Sequence, residues 1–386
     1  VTARNESLCS RPTWAQIDLD AVASNLQIIK SRISSGVKVM AVVKADAYGH
    51  GAVQCAQTLE AAGADWFGVA LPEEGIELRK AGIAKPILCL AGFWNGQAAA
   101  CVHHDLTTVI YRADMLEAMD HAASDAGVMA EVHLKIDTGM GRLGVRPEAL
   151  AEFCDAVARF KNVRIDGLMT HFAAADDSCL DNFTSAQLES FQSAVALLRA
   201  RGIAATHHHL ANSAATFAHA EAHGNMVRPG GALYGLRDTL PAEVDASALQ
   251  PAMSLHSRVT LVKWIEAGDH VGYGCTFQAP RRTLVATIPV GYEDGFNRAL
   301  SNRGRVIVKG NYAPVIGRVS MDLTLIDVTD VPGVAVDDEV VLLGRQNGLS
   351  VPAEDLGSQS GTISYEITCG VSDRVPRIYS QSDLPK

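Results

Sequence analysis

The chain has 386 residues, 48% hydrophobic and 20% charged, which is enough for two domains with sizeable apolar cores. Its formal net charge is −10 and no basic patch is interleaved with aromatics, which argues against a nucleic-acid partner. No apolar run approaches the ~20 residues that a bilayer span needs, so no membrane partner is expected.

The opening stretch, VTARNESLCSRPTW, is polar and has no apolar signal core, so the expected location is the cytoplasm. The eight cysteines (Cys9, Cys55, Cys89, Cys101, Cys154, Cys179, Cys275, Cys369) are scattered without a CxxC pair. Several stand in apolar surroundings, such as Cys89 in PILCLAG. This pattern predicts reduced, buried thiols and neither a disulfide frame nor a metal site.

From Asp18 onward the sequence alternates. LDAVASNLQIIKSRI reads as an amphipathic helix capped by Asp18 or Asp20. Strand-like runs then recur: VKVMAVVK, DWFGVA, PILCLAG, LTTVIY, AEVHLKID, RIDGLMTHF, THHHLA and NMVRPG. Between them the periodicity predicts helices over AVQCAQTLEAAG and over 73–81, 114–126, 148–160, 185–201 and 213–222. Eight strands alternating with helices is the pattern of an α/β protein with a closed (β/α)8 (TIM) barrel, assigned to residues 11–240. An open doubly wound sheet shares the alternation, but no GxGxxG opens the first crossover. After DTLPAEVDASALQPA the helical period disappears. Short alternating runs such as TLVATIPVGY, GRVIVKG and DEVVLLG predict a mostly β domain over 241–386.

The chemistry-bearing residues gather where the barrel strands end. The apolar run 37–43 stops at Lys44, followed at once by Tyr48, Gly49, His50 and Gly51. Catalytic side chains of such barrels sit at the carboxyl ends of strands, and a desolvated amine there can attack a carbonyl. Lys135, Asp137 and Arg142 end another strand in HLKIDTGMGRLG, and His171 ends a third. The loops after strands seven and eight carry Asn212, Ser213, Arg228, Gly230 and Gly231. Ser213 at a helix start offers a hydroxyl to an anion, and the two glycines let backbone approach it. A Schiff-base lysine plus a phosphate cradle is what pyridoxal 5'-phosphate requires, and Arg228 is placed to meet its ring nitrogen.

AVVKADAYGHG, DTGMGRLG, MTHFA, ANS, MVRPGGALYG, VGYG, PVGYEDG, GRVSMD and TISYE, in this order from about Arg11 to Tyr379, together resemble the alanine racemase family. The resemblance implies a pyridoxal-phosphate-binding barrel, a following β domain and a homodimer. It implies that Lys44 carries the cofactor and serves as base and acid on the D face of alanine. Tyr273 would serve the L face in the partner's site. Tyr48, Ser213, Gly230, Gly231 and Tyr365 would hold the phosphate, with Asn212 among the cofactor-binding groups. Arg228 would contact the pyridine nitrogen, buttressed by His171. Arg142 would meet the phenolic oxygen, Met321 the substrate carboxylate, and Tyr292 would line the entry corridor. Lys135 matches a position that is carbamylated in many members. Asp46 stands where Asn is frequent, and Ser320 precedes Met321 where some relatives have Cys; both bear on substrate preference. The alternative is a related racemase acting on serine or on a broader set of amino acids. A barrel-type decarboxylase would place an acidic residue where Arg228 stands, and a non-catalytic cofactor carrier would lack the β domain. The product expected is D-alanine for peptidoglycan synthesis.

Overall fold

The computed structural model describes residues 11–382, so Cys9 lies outside the described residues. The chain forms two compact units. One is Leu19–Gln250; the other joins the segment ending at Asp18 to the segment beginning at Pro251.

The first unit is the expected parallel barrel. Its strands are β2 (Lys38–Val42), β3 (Trp66–Val69), β4 (Ile87–Cys89), β5 (Thr107–Ile110), β6 (Ala130–Lys135), β7 (Val163–Met169), β8 (His207–His209) and β9 (Met226–Val227). From β2 to β8 each strand pairs in parallel with the next in sequence, and β9 returns to pair in parallel with β2. The ring closes between β8 and β9 through Asn225 N–H to the His208 carbonyl (3.1 Å) and Arg228 N–H to the Ala211 carbonyl (2.8 Å). Met40, Trp66, Leu88, Val109, Met169 and Met226, one from each of six strands, form a buried cluster. Such side chains contribute roughly 1.5–3 kcal/mol each when buried. Helix α1 (Leu19–Ser31) buries Leu19, Val22, Leu26 and Ile29 at helical spacing. Its buried Asn25 donates to the Leu233 and Gln250 carbonyls and accepts from Gln250 N–H.

The division between the units differs from the one read from sequence, 240/241. Residues 238–250 stay with the barrel because Asn25 binds Gln250 on both sides and Arg32 donates to the Asp245 carbonyl. Residues 13–18, expected in the barrel, form strand β1 (Thr13–Asp18) of the other unit. It runs antiparallel to β10 (Met253–Arg258) and parallel to Arg377–Ser380. Its alternation carries the reason: Ala15 and Ile17 are fully buried while Gln16 and Asp18 are exposed.

The second unit is mostly β, as expected, in sheets joined largely by antiparallel pairing. It also contains two short helices, Ala353–Ser360 and Ser364–Cys369. In the barrel, a helix at Ala98–His103 was not expected, and the helix expected over 213–222 ends at Ala218.

Candidate active site

Lys44 leaves the carboxyl end of β2, where Val43 N–H is held by the Gly68 carbonyl. The four residues after it, Ala45, Asp46, Ala47 and Tyr48, all have φ between 52° and 56°, one turn of left-handed helix. That conformation costs L-residues roughly 1–2 kcal/mol each, so the turn persists only because its surroundings hold it. Ala45 N–H reaches Glu74 Oε1 (2.8 Å), and Ala47 N–H reaches the Val43 carbonyl (2.9 Å). The buried His50 places Nδ1 3.0 Å from the carbonyls of both Ala47 and Tyr48, so Nδ1 carries the proton. Its ring stacks on Tyr234 at 4.6 Å, and the Tyr234 hydroxyl donates to the Val42 carbonyl. Asp46, the departure from the family pattern, points away from the chemistry. Its Oδ1 accepts Ala52 N–H at 2.6 Å and caps the helix Ala52–Ala61.

The left-handed turn sets the Tyr48 side chain inside the barrel mouth, 5.2 Å ring to ring from Tyr234. Its hydroxyl lies against Gly230 so closely that a Cβ there would stand 2.3 Å from it. Ser213 Oγ accepts Gly230 N–H (2.9 Å) and Ala232 N–H (3.3 Å), leaving its own proton to donate to an anion. Asn212 Oδ1 caps the same short helix at Ala215 N–H, and Gly231 opens the turn Gly231–Tyr234. Tyr48, Ser213 and Gly230 thus form a cradle that fits a phosphate and that any larger residue at 230 would fill.

Beside it the barrel gathers positive charge. Arg228 is 4% exposed, and its guanidinium donates to the carbonyls of Thr170 (2.8 Å), His209 (2.6 Å) and Leu210 (3.0 Å). It also meets His209 Nδ1 at 3.0 Å and His171 Nδ1 at 3.3 Å. Burial pulls Arg228 down to about 9, which leaves it a cation at neutral pH. Lys135 at the end of β6 is pulled from 10.5 to about 8, first by burial and then by Arg228, Arg142 and Lys44. His171 is pushed well below its ordinary range by burial and by Arg228, Lys135, Arg142 and Lys44. Lys44, Lys135, Arg142, His171 and Arg228 are therefore within electrostatic reach of one another, as the strand-end argument requires. Asp137 opposes them at Lys135 while also accepting from Gly139 and Gly141 N–H. A phosphorylated, phenol-bearing cofactor brings the negative charge that this cluster lacks.

The β unit carries the other expected residues. Tyr273 is 72% exposed on a short turn between Gly272 and Gly274, both at positive φ. Met321 is half exposed, and Tyr292 lies beside it: Tyr292 N–H donates to the Ser320 carbonyl and Glu293 N–H to the Met321 carbonyl. Tyr365 sits on Ser364–Cys369.

Three features escaped the sequence reading. The left-handed turn has no propensity signal beyond its glycine-rich end. His50, which supports it, reads only as part of the turn after Lys44, and Tyr234 stands only within the run MVRPGGALYG. His209 was part of the run HHH; a period of two would have aimed His207 and His209 to the same face. Among the described residues no cluster of His, Cys, Asp and Glu could hold a metal, and no helix is long and apolar enough to cross a membrane.

Two family models match: alanine racemase, N-terminal domain, over residues 17–238, and alanine racemase, C-terminal domain, over residues 252–379. Among curated relatives, the alanine racemase of Symbiobacterium thermophilum is 46% identical over 369 residues, covering 96% of this chain and 97% of that protein. That of Geobacter sulfurreducens is 46% identical over 373 residues with the same coverage. Among solved structures, alanine racemase from D-cycloserine-producing Streptomyces lavendulae superposes with a TM-score of 0.90 at 37% identity, covering 96% of this chain and 98% of that one. Alanine racemase from Bartonella henselae with covalently bound pyridoxal phosphate gives 0.85 at 28% identity, covering 96% and 99%. With both domains matched in order and nearly the whole chain aligned, this chain belongs to the alanine racemase family, whose members are pyridoxal-phosphate-dependent amino-acid isomerases.

Proposed function

We propose that the protein interconverts L- and D-alanine at the carboxyl mouth of the barrel, with Lys44 holding pyridoxal phosphate and a homodimer completing each site. Bound there, the cofactor withdraws electrons from the substrate Cα and makes its proton removable. The observation that carries the reading is Arg228: a buried guanidinium held by backbone carbonyls and neutral imidazoles, aimed into a cluster of cations. A cation that keeps its proton donates to the ring nitrogen and leaves that nitrogen unprotonated. Arg228 would in this way temper the electron withdrawal that the bound group supplies.

Tyr48, Ser213, Gly230 and Gly231 bind the phosphate from this chain's barrel, Tyr365 adds its hydroxyl, and Asn212 holds the Ser213 turn in place. Arg142 meets the phenolic oxygen, and Met321 the substrate carboxylate. His171 buttresses Arg228.

Inversion needs a proton carrier on each face of a planar centre. Lys44 takes the D face. Tyr273 takes the L face of the partner subunit's site. Its exposure in the isolated chain and its placement on a glycine-framed turn support a role outside its own fold. Tyr292 lines the path of entry. The D-alanine formed supplies peptidoglycan synthesis in the cytoplasm.

The test is direct. Protein loaded with pyridoxal phosphate, reduced with borohydride and digested should carry the label on the peptide containing Lys44. The same preparation should change the circular dichroism of L-alanine solutions toward the racemate. A label on another peptide, or optical activity that never decays, overturns the assignment.

A further inference from the structure

Behind Arg228 the barrel interior holds three buried histidines that the reaction does not use directly. His209 Nε2 lies 2.8 Å from His133 Nδ1. His133 and His207 have ring centroids 5.9 Å apart, and His207 Nε2 lies 3.5 Å from Asp166 Oδ2. Two atoms in this row are buried and have no hydrogen-bond partner: His133 Nε2 and His207 Nδ1.

The direction of each bond follows from the donors available. Arg228 can only donate, so His209 Nδ1 accepts from it. A neutral His209 then carries its proton on Nε2 and donates to His133 Nδ1. A neutral His133 in turn carries its proton on Nε2, which is one of the two orphans. At the other end a carboxylate can only accept, so His207 Nε2 bears a proton facing Asp166, and His207 Nδ1 is an acceptor, which is the second orphan. The two unpartnered atoms are therefore a donor and an acceptor on neighbouring rings. A buried polar atom left unsatisfied costs about 1–3 kcal/mol, so a direct bond or one bridging water between them is strongly favoured.

We propose that Asp166, His207, His133 and His209 form one continuous hydrogen-bond chain along the barrel interior, linking a carboxylate at the amino-terminal end to Arg228 at the catalytic end and fixing every imidazole as the neutral Nε2–H tautomer. All four are positioning residues. Their consequence for the cofactor rests on the function proposed above, in which Arg228 meets its ring nitrogen; the chain itself does not.

The packing is arranged for it. In register, His133 on β6 stands opposite Gly167 on β7, which stands opposite His207 on β8. A Cβ at Gly167 would lie 2.5 Å from the His133 ring, so only glycine leaves the ring room between the strands. The β6–β7 register shifts at Val132/His133, the kind of irregularity that re-aims a side chain. Trp66 covers both rings, at 5.4 Å from His133 and edge-on at 5.2 Å from His207. Thr206 Oγ1 donates to Asp166 Oδ1 (2.8 Å), and Arg164 lies 3.8 Å from the same oxygen, so the terminal carboxylate is itself held. Burial pulls His133 down to about 3 and lowers His209 and His207 as well, consistent with three neutral rings. A neutral acceptor at His209 leaves the guanidinium proton on Arg228, and the far carboxylate polarises the whole row toward it.

The test is histidine side-chain nitrogen NMR on the full-length, 15N-histidine-labelled holoenzyme, repeated after the cofactor is removed. His209, His133 and His207 should each show an unprotonated Nδ1 and a protonated Nε2 in both forms. In His207→Phe, the His133 Nε2 and Nε2–H resonances should move upfield as that N–H loses its acceptor, while His209, held by Arg228, keeps its tautomer. His207→Gln, which can accept from one side and donate to the other, should restore them. Nδ1–H at His133 in the unmodified protein overturns the chain outright, whether or not the variants fold. Unmoved His133 Nε2 and Nε2–H resonances in folded His207→Phe overturn it equally. Because tautomers are read without turnover, a failed Lys44 label would sink the proposed function and leave this result standing.

Discussion

Lys135 is expected to be a carbamate, and the structure gives the size of the effect. The residue is 5% exposed, and burial together with Arg228, Arg142 and Lys44 brings its amine from 10.5 to about 8. That difference raises the fraction of neutral amine near pH 7 by a factor of about 300 over an ordinary lysine. The ammonium must first lose a proton; the neutral amine then attacks CO2, the N–C bond forms and a second proton leaves, so that a cation becomes an anion among Lys44, Arg142 and Arg228 with two protons released in all. The sign follows: a lowered amine loses its proton as pH rises through about 8, so at constant CO2 pressure the carbamate should increase steeply up to that point. Carbon-13 NMR of protein equilibrated with labelled CO2 should show one slowly exchanging carbamate carbonyl, absent in Lys135→Arg. An anion orienting Arg142 makes a charge-assisted bond worth ~1.5–3 kcal/mol. Lys135→Ala should therefore lose about ten- to a hundredfold in kcat/KM. A carbamate signal that persists in Lys135→Arg, or full activity in protein that never shows one, would refute the reasoning.

Further outcomes are expected elsewhere in the site. Arg228→Glu should protonate the cofactor's ring nitrogen, giving red-shifted absorption during turnover and more transamination product; an unchanged spectrum and product ratio counts against the assigned role. Lys44→Ala and Tyr273→Phe chains, each inactive alone, should recover about a quarter of normal activity when dissociated and re-mixed, since half of the dimers then hold one intact site. No recovery would place Tyr273 outside the partner's site. Gly230→Ala sets a methyl 2.3 Å from the Tyr48 hydroxyl, and forced displacement costs about 1–3 kcal/mol. Fluorescence titration should read this as pyridoxal phosphate affinity weakened about five- to a hundredfold. Asp46→Ala removes the cap on Ala52 and should lower unfolding free energy by about 1 kcal/mol, whereas Asp46→Asn should be nearly neutral.

The barrel was legible because its strands are buried on both faces and its helices on one. Runs such as VKVMAVV and PILCLAG, broken by periodic helices, have few other readings. The strand-end residues followed from the same pattern, since a polar group interrupting an apolar run marks where the strand leaves the core. What stayed hidden was non-local. TWAQID is too short to announce a strand, and its partners Met253–Arg258 and Arg377–Ser380 lie more than two hundred residues away. The true boundary near residue 250 depends on Asn25, whose two amide bonds to Gln250 cannot be seen in any local window.

The least legible segment is also the one that matters most. Lys44 is followed by four consecutive residues at positive φ, of which only Asp46 is of a type that visits that region at all readily, with alanine at two of the others. Local preference and final structure conflict here, and such conflict is expected where a site needs a backbone path that ordinary elements do not provide. The remedy lies in residues that read as unremarkable: Glu74 tying Ala45, His50 bridging two carbonyls, and Tyr234 holding His50 from beneath while bonding Val42. Removing any of them should loosen the turn without touching a reacting atom. Because the turn joins the lysine to the Tyr48 hydroxyl within five residues, both ends of the cofactor site would then lose their register together.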